Sequence, residues 1–255
     1  LKLSRGLGDV YKRQDWCYAA VTFQALKGKR VVVFGHDSMG METALPHVSA
    51  TRNQFGIEIT RLDMKLLSDM LIKKSYDERE LLKLKKWIKS DCLKIEIPKE
   101  TDEHNLDKSL ALYLIVRDMM KELNAVGGGF MSQLEWGSDS RGIPLPVADI
   151  MESLFNSTFD HNGPKEVIPY ATEADVQALL TQLFMTWLSG GNPPLFMDFR
   201  KVWEPNEIKE FAKQNKVELS GKSIWEKKGF VDGVNSGSAS FCLLYTSDAA
   251  DDDAC

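Results

Sequence analysis

The sequence predicts an α/β fold: a layered, Rossmann-like domain with a parallel sheet, followed by the start of a second α/β domain. Three observations carry that expectation. Apolar runs too short for helices and bounded by turn-forming residues recur at 30–35 (RVVVFG), 57–62 (IEITRL) and 125–131 (AVGGGFM). Longer stretches between them place apolar residues at the spacing of a helix face. Finally, the segment 166–203, EVIPYATEADVQALLTQLFMTWLSGGNPPLFMDFRKVW, parses as strand, helix, strand, and a crossover of that length implies parallel neighbours.

Taken in order, the run at 30–35 ends in GHDSMGMET, which lacks both the glycine order and the Lys-Ser/Thr pair of a nucleotide-binding loop. After the second strand, residues 63–72 read as a helix, and Asp77 caps another in which Leu81, Leu82, Leu84, Trp87 and Ile88 form a partial apolar face among lysines. Residues 98–105 are polar and turn-like, and 106–123 read as a long amphipathic helix. The third strand carries Gly127, Gly128 and Gly129, which let another backbone or a ligand come close. Residues 144–156 form a helix with Val147, Ile150, Met151, Leu154 and Phe155 inward. In the 166–203 segment, Thr172 with Asp175 reads as a capping-box start. Val176, Leu179, Leu180, Leu183, Phe184, Trp187 and Leu188 line one helix face, and the Gly-Gly-Asn-Pro-Pro run at 190–194 stops it. Beyond Trp203 a lysine-rich helix or loop runs to Val231.

Composition excludes several classes. The net charge of −5, or −4 over residues 15–241, is mixed along the chain and forms no basic stripe, so no nucleic-acid partner is expected. No apolar run approaches the roughly 20 residues of a membrane span, so no membrane partner is expected. Lys2 and Arg5 precede no apolar core of a signal peptide. Of the four cysteines, Cys17, Cys92, Cys242 and Cys255, the last two lie in an adapter-like tail at 242–255, and the two scattered thiols that remain suggest a reducing cytoplasm. LKLSRGLGDVYKRQ (1–14) and CLLYTSDAADDDAC (242–255) resemble translated library-adapter sequence, and both are expected to pack against nothing.

The candidate chemistry lies in two carboxylates. Glu173 and Asp198 both fall at or near C-terminal strand ends, the edge where open α/β sheets bind ligands. Asp198, flanked by Met197 and Phe199, loses hydration on folding and so requires a cation or several donors. A hard divalent ion is one solution. The other is that Asp198 pairs with Arg200 and Glu173 only favours a helix N-terminus.

Four motifs in one order then point to a family. ATEAD at 171–175, LFMDFR at 195–200, SLFNSTFDHNGPKE at 153–166 and VNSGSAS at 234–240 resemble segments of the L-fucose isomerase family. LDMKLLSDML at 62–71 is similar to a further family segment, with Lys65 and Ser68 departing from it. The resemblance implies that residues 15–165 form the family's second domain and 166–241 the start of its catalytic C-terminal domain. It further implies that Glu173 and Asp198 bind Mn²⁺ (or Mg²⁺) and act as acid/base groups in aldose–ketose isomerisation. By the same resemblance Met39 of Ser38-Met39-Gly40 lines the sugar pocket, and Gln133 and Ser236 contact sugar hydroxyls. Three departures stand against it: SQLEWG around Gln133 differs on both sides, His161 replaces a usual Trp, and no His follows His161 to supply the family's third metal ligand.

The implied reaction is ene-diol proton transfer between C1 and C2 of an open-chain sugar, with L-fucose to L-fuculose and D-arabinose to D-ribulose as substrate pairs. The implied partners are a small sugar and further copies of the chain in a homo-oligomer. An isolated segment lacking the third ligand is expected to be nearly inactive, and the alternative to an enzyme is a non-catalytic sugar-binding or assembly module.

Overall fold

The computed structural model describes residues 7–36, 40–91, 95, 97, 102–131, 147–194 and 198–234. In chain order the elements are α1 (Leu7–Leu26), β1 (Arg30–Phe34), α2 (Val48–Phe55), β2 (Glu58–Leu62), α3 (Met64–Ile72), α4 (Glu78–Asp91), α5 (Glu103–Glu122), β3 (Ala125–Phe130), α6 (Val147–Asn156), β4 (Phe159–Asp160), β5 (Gly163–Pro164) and β6 (Tyr170–Ala171). They continue as α7 (Val176–Leu188), β7 (Asp198–Trp203), α8 (Pro205–Asn215), α9 (Ile224–Lys228) and β8 (Phe230–Val234). The chain divides into two compact units, Leu1–Leu195 with Gly237–Cys255, and Phe196–Ser236.

The first unit is built on a four-stranded sheet in the order β2-β1-β3-β6, every pair parallel. Its registers place Val31 beside Ile59 and Gly127, Phe34 beside Leu62 and Phe130, and Gly128 beside Tyr170. Because successive side chains of a strand point to opposite faces, the Val-Val-Val-Phe run of β1 feeds two cores. Val32 and Phe34 pack with residues of α3, α4, α5 and α6. Val31 packs on the other face with Leu26, Leu179 and Leu183 from α1 and α7. The layers are therefore helix, sheet, helix, as the sequence predicts.

Helix α5 differs from its expected amphipathic character. Residues 109–116 are all buried, because α3, α4 and α6 pack around the helix on the side away from the sheet. A helix that is apolar on every side is a core helix. It also begins earlier than its apolar run suggests, since Asp102 accepts a hydrogen bond from Asn105 N at 2.8 Å and caps it. Asp63 and Asp77 cap α3 and α4 in the same way, accepting from Lys65 N and Arg79 N at 2.7 Å each.

Two helices lie where the sequence shows no periodic signal. In α1 the apolar residues spread around the axis, with Trp16 78% exposed and Leu26 fully buried, so no stripe marks it. Residues 7–14 belong to this same helix, and the side chains of 12–14 are exposed; residues 242–255 lie outside the described residues. Helix α2 is a polar octapeptide held by His47 at its start and by Gly56, at φ 70°, past its end.

The expected pairing of the last predicted strand is overturned. Strand β7 is not a parallel neighbour of β6; it pairs antiparallel with β8, Asp198 opposite Val234 and Trp203 opposite Phe230. A short strand can join either kind of ladder, and the partner that reached β7 is the strand returning through α8 and α9. Within this second unit Trp203 stacks on Phe230 at 6.1 Å and meets Phe211 edge-on at 5.6 Å.

The β4–β5 hairpin is tied to the helical layer by Glu80 of α4. Its carboxylate meets His161 Nε2 and Asn162 Nδ2 at 3.0 Å each, Arg117 Nη1 at 3.4 Å and Lys83 Nζ at 2.8 Å. The imidazole of His161 is wholly buried, so the residue that departs from the family pattern serves as a clasp. The Lys83 ammonium, then the Asn162 amide, hold the Glu80 carboxyl well below the usual carboxylate range. A carboxyl whose pKa is lower folded than unfolded stabilises the fold above its unfolded value and loses that contribution as pH falls through its folded value. Glu80→Gln is therefore expected to lower stability by about 1–3 kcal/mol at pH 7. In urea titrations the gap from the wild type should be full above about pH 4.5 and should narrow as the pH falls further.

Candidate functional site

All four strands of the first sheet run in one direction, so their C-terminal ends share one edge, and the strand order reverses between β1 and β3. That reversal opens a crevice where α/β sheets bind ligands. Gly35 and His36 leave β1 there, Met131 leaves β3, and residues 172–174 leave β6. Met131 ties the first two together: its N donates to Phe34 O at 2.8 Å, and its Sδ lies 2.9 Å from His36 N.

Glu173 stands on this edge, half-buried, in a 3₁₀ turn spanning Thr172–Ala174. Its backbone is left-handed, φ 54° and ψ 22°, and Ala174 follows at φ 55°. Two consecutive non-glycine residues in that region store on the order of 1–3 kcal/mol each and persist only where their surroundings dictate it. The surroundings are visible. Tyr170 is clamped through its backbone by Asn156, whose Nδ2 donates to Tyr170 O at 2.9 Å and whose Oδ1 accepts from Tyr170 N at 3.0 Å. The Tyr170 ring stacks on Phe155 at 4.8 Å. Burial, with the Glu152 carboxylate adding to it, holds the Tyr170 phenol well above its ordinary pKa. Thr172 Oγ1 donates to Glu152 Oε2 at 2.5 Å, both residues being buried.

On the sheet side Gly127 and Gly129 of β3 receive the backbone of the incoming segment, one of the two roles their sequence allowed, and Gly128 makes room for the Tyr170 ring. A Cβ on Gly127 would lie 3.1 Å from Pro169 O, and one on Gly129 would lie 2.9 Å from Ala174 Cα. The true cap of α7 is Asp175 rather than Thr172: its carboxylate accepts from Ala178 N at 2.9 Å. Thr172 has turned inward to Glu152 instead, which sends Glu173 to the strand-end edge.

Asp198 opens β7 in the second unit, whereas Glu173 belongs to the first. Met39, Gln133 and Ser236 lie outside the described residues. Among the described residues no group of three or more His, Cys, Asp or Glu could hold a metal ion, and no helix is long and apolar enough to cross a membrane. The donor chemistry of Glu173 and Asp198, two carboxylates, suits a hard divalent ion. Sequence reasoning missed Glu152, Asn156 and Thr172 as the scaffold of the Glu173 turn. The readable signal was a polar pair four residues apart, Glu152 and Asn156, among the apolar residues of α6.

The family described as "L-fucose isomerase, second N-terminal domain" matches residues 29–190, a span that includes the whole first sheet, the Glu173 turn and α7. The chain belongs to the L-fucose isomerase family. Among its relatives, "L-fucose isomerase" of Clostridium perfringens is 28% identical over 249 residues, covering 86% of this chain and 40% of the relative. That of Salmonella choleraesuis is 29% identical over 244 residues, covering 87% and 39%. The Salmonella typhimurium protein is 28% identical over the same length and shares. The chain thus spans about two fifths of the length of the L-fucose isomerases it matches.

The close approach at Gly129 makes a direct test of how the turn is held. Gly129→Ala is expected to destabilise the chain by about 1–3 kcal/mol, because the new methyl meets backbone and cannot be relieved by a side-chain rotation. The midpoint of a urea unfolding curve measures it.

Proposed function

We propose that this chain carries part of the acid/base site of an aldose–ketose isomerase that interconverts L-fucose with L-fuculose and D-arabinose with D-ribulose. The observation that carries the reading is Glu173. A carboxylate is held on a strained left-handed turn, at the ligand-binding edge of a parallel sheet, inside the span that matches the family.

In this reading Glu173 and Asp198 exchange protons with the substrate. One carboxylate removes the proton from C2 of the open-chain aldose, and the other passes a proton between O1 and O2 while C1 is reprotonated, which leaves the ketose. Fixing the backbone at Glu173 before substrate arrives avoids reorganisation in the transition state. Glu173 and Asp198 would also hold the divalent ion, Mn²⁺ or Mg²⁺, and when bound the ion supplies charge stabilisation for the enediolate. Met39, Gln133 and Ser236 serve as the sugar contacts. We further read the chain as a segment of a longer cytoplasmic enzyme that assembles as a homo-oligomer. The two-fifths coverage of its relatives favours, for the segment by itself, the role of a sugar-binding or assembly module without turnover.

The assay is ketose formation from L-fucose, D-arabinose and L-arabinose, with and without chelator. The 255-residue chain is expected to yield none above background. The complete reading frame should convert L-fucose in the presence of Mn²⁺ and should lose roughly two or more orders of magnitude in kcat on Glu173→Gln or Asp198→Asn, each change removing a charge and a proton acceptor together. Chelator-insensitive turnover, or a preference for L-arabinose, would overturn the reading.

A further inference from the structure

We propose that Glu152 is a positioning residue for Glu173, acting through the hydroxyl of Thr172; the proposal rests on the reading of Glu173 as an acid/base group. Glu152 and Asn156 are four apart on α6, so their side chains rise from one helix face one turn apart. Tyr170 closes against the α6 side of the sheet, Ala171 faces the opposite core, and Thr172, the first residue of the turn, brings its side chain back to α6. The two pairs meet rung by rung, Asn156 on the backbone of Tyr170 and Glu152 on the side chain of Thr172.

The chemistry of the second rung is what separates it from packing. Glu152 is 3% exposed and Thr172 1% exposed, and burying a carboxylate is far more costly than burying a neutral acceptor. A carboxylate acceptor gives a shorter and stronger bond from a hydroxyl than a neutral one does, and 2.5 Å falls in that range. The bond grips the residue immediately before Glu173. It therefore limits the torsions through which the Glu173 side chain could swing. On the opposite side Gly129 lets Ala174 Cα come so near that an added Cβ would sit 2.9 Å from it. The turn is held from α6 and from β3 together. Released from α6, residues 173 and 174 would relax toward negative φ, where L-residues are at ease, and the carboxylate would leave its direction at the strand end.

The test uses two readouts on Thr172→Val, which keeps shape and removes the donor, on Thr172→Ser, which keeps the donor, and on Glu152→Leu. In the 255-residue chain, amide hydrogen exchange at residues 172–175 should quicken about tenfold in Thr172→Val and in Glu152→Leu, with exchange in β1 unchanged. The double variant Thr172→Val/Glu152→Leu should exchange no faster than either single one, since both remove the same bond. Thr172→Ser should match the wild type. In the complete enzyme Thr172→Val should lower kcat at least tenfold with KM moved less than about twofold, and Thr172→Ser should restore kcat to within about threefold.

Should Glu152→Leu fail to fold, Thr172→Val, which leaves α6 untouched, decides alone. Unchanged exchange in Thr172→Val, or equal behaviour of the Val and Ser variants, overturns the proposal. A complete wild-type enzyme that does not isomerise sugars overturns the proposed function instead, and the exchange result still decides whether Glu152 holds the turn.

Discussion

The backbone of residues 169–174 lies against the glycine run of β3, and the C-terminal strand edge of the first unit depends on that approach. Gly128 N donates to Pro169 O at 2.9 Å, Gly128 sits beside Tyr170 in register, and Gly129 sits beside Ala171. Side chains at Gly127 and Gly129 would crowd the incoming segment, since their Cβ atoms would lie 3.1 Å from Pro169 O and 2.9 Å from Ala174 Cα. The fourth strand is only two residues long, so it has no spare ladder with which to absorb such crowding. What the glycines forgo in conformational preference is offset by a fourth strand and by the place it gives to residues 172–174.

The same segment joins the two cores. Before the turn, Tyr170 is buried among α5 and α6 residues on one face of the sheet. After it, α7 covers the other face through Leu179 and Leu183. The chain must therefore pass the edge of the sheet between two anchored points, with four residues to do it in. Left-handed backbone at Glu173 and Ala174 is the consequence. The strain is offset by a hydrogen-bonded clamp: the Asn156 amide satisfies both backbone groups of Tyr170, and Glu152 Oε2 accepts from Thr172. A local rule of conformational preference is broken where side chains of a neighbouring helix hold the backbone on either side of Ala171, the pattern expected of a functional position.

Elements with strong local chemistry were legible in advance. The Val-Val-Val-Phe run of β1 has no other stable use than a strand covered on both faces, and Asp63 and Asp77 announce α3 and α4 through the donors they accept. Helices α1 and α2 were not legible, because neither carries an apolar stripe: α2 is kept helical by its caps, and both by packing at a few positions such as Thr22, Leu26 and Thr51. The start of α7 was misread by one feature: Thr172 and Asp175 are both good capping residues, and only the position of Glu152 shows which of them is free to cap. The pairing of β7 was misread for a broader reason, since the residues of so short a strand do not distinguish a parallel from an antiparallel neighbour.

By itself, then, the sequence determined the class of fold, the helix-sheet-helix layering, most element positions and the family, since all of these follow from composition, periodicity, capping and motif order within short windows. It also singled out Glu173 as a residue. The tertiary structure decided how that residue is held: which of two caps starts α7, that the glycines of β3 admit a backbone, that a buried carboxylate on α6 grips Thr172, and that β7 pairs with β8. Each of these depends on groups distant along the chain coming within hydrogen-bond or van der Waals reach, and local propensity carries no information about which distant group will arrive.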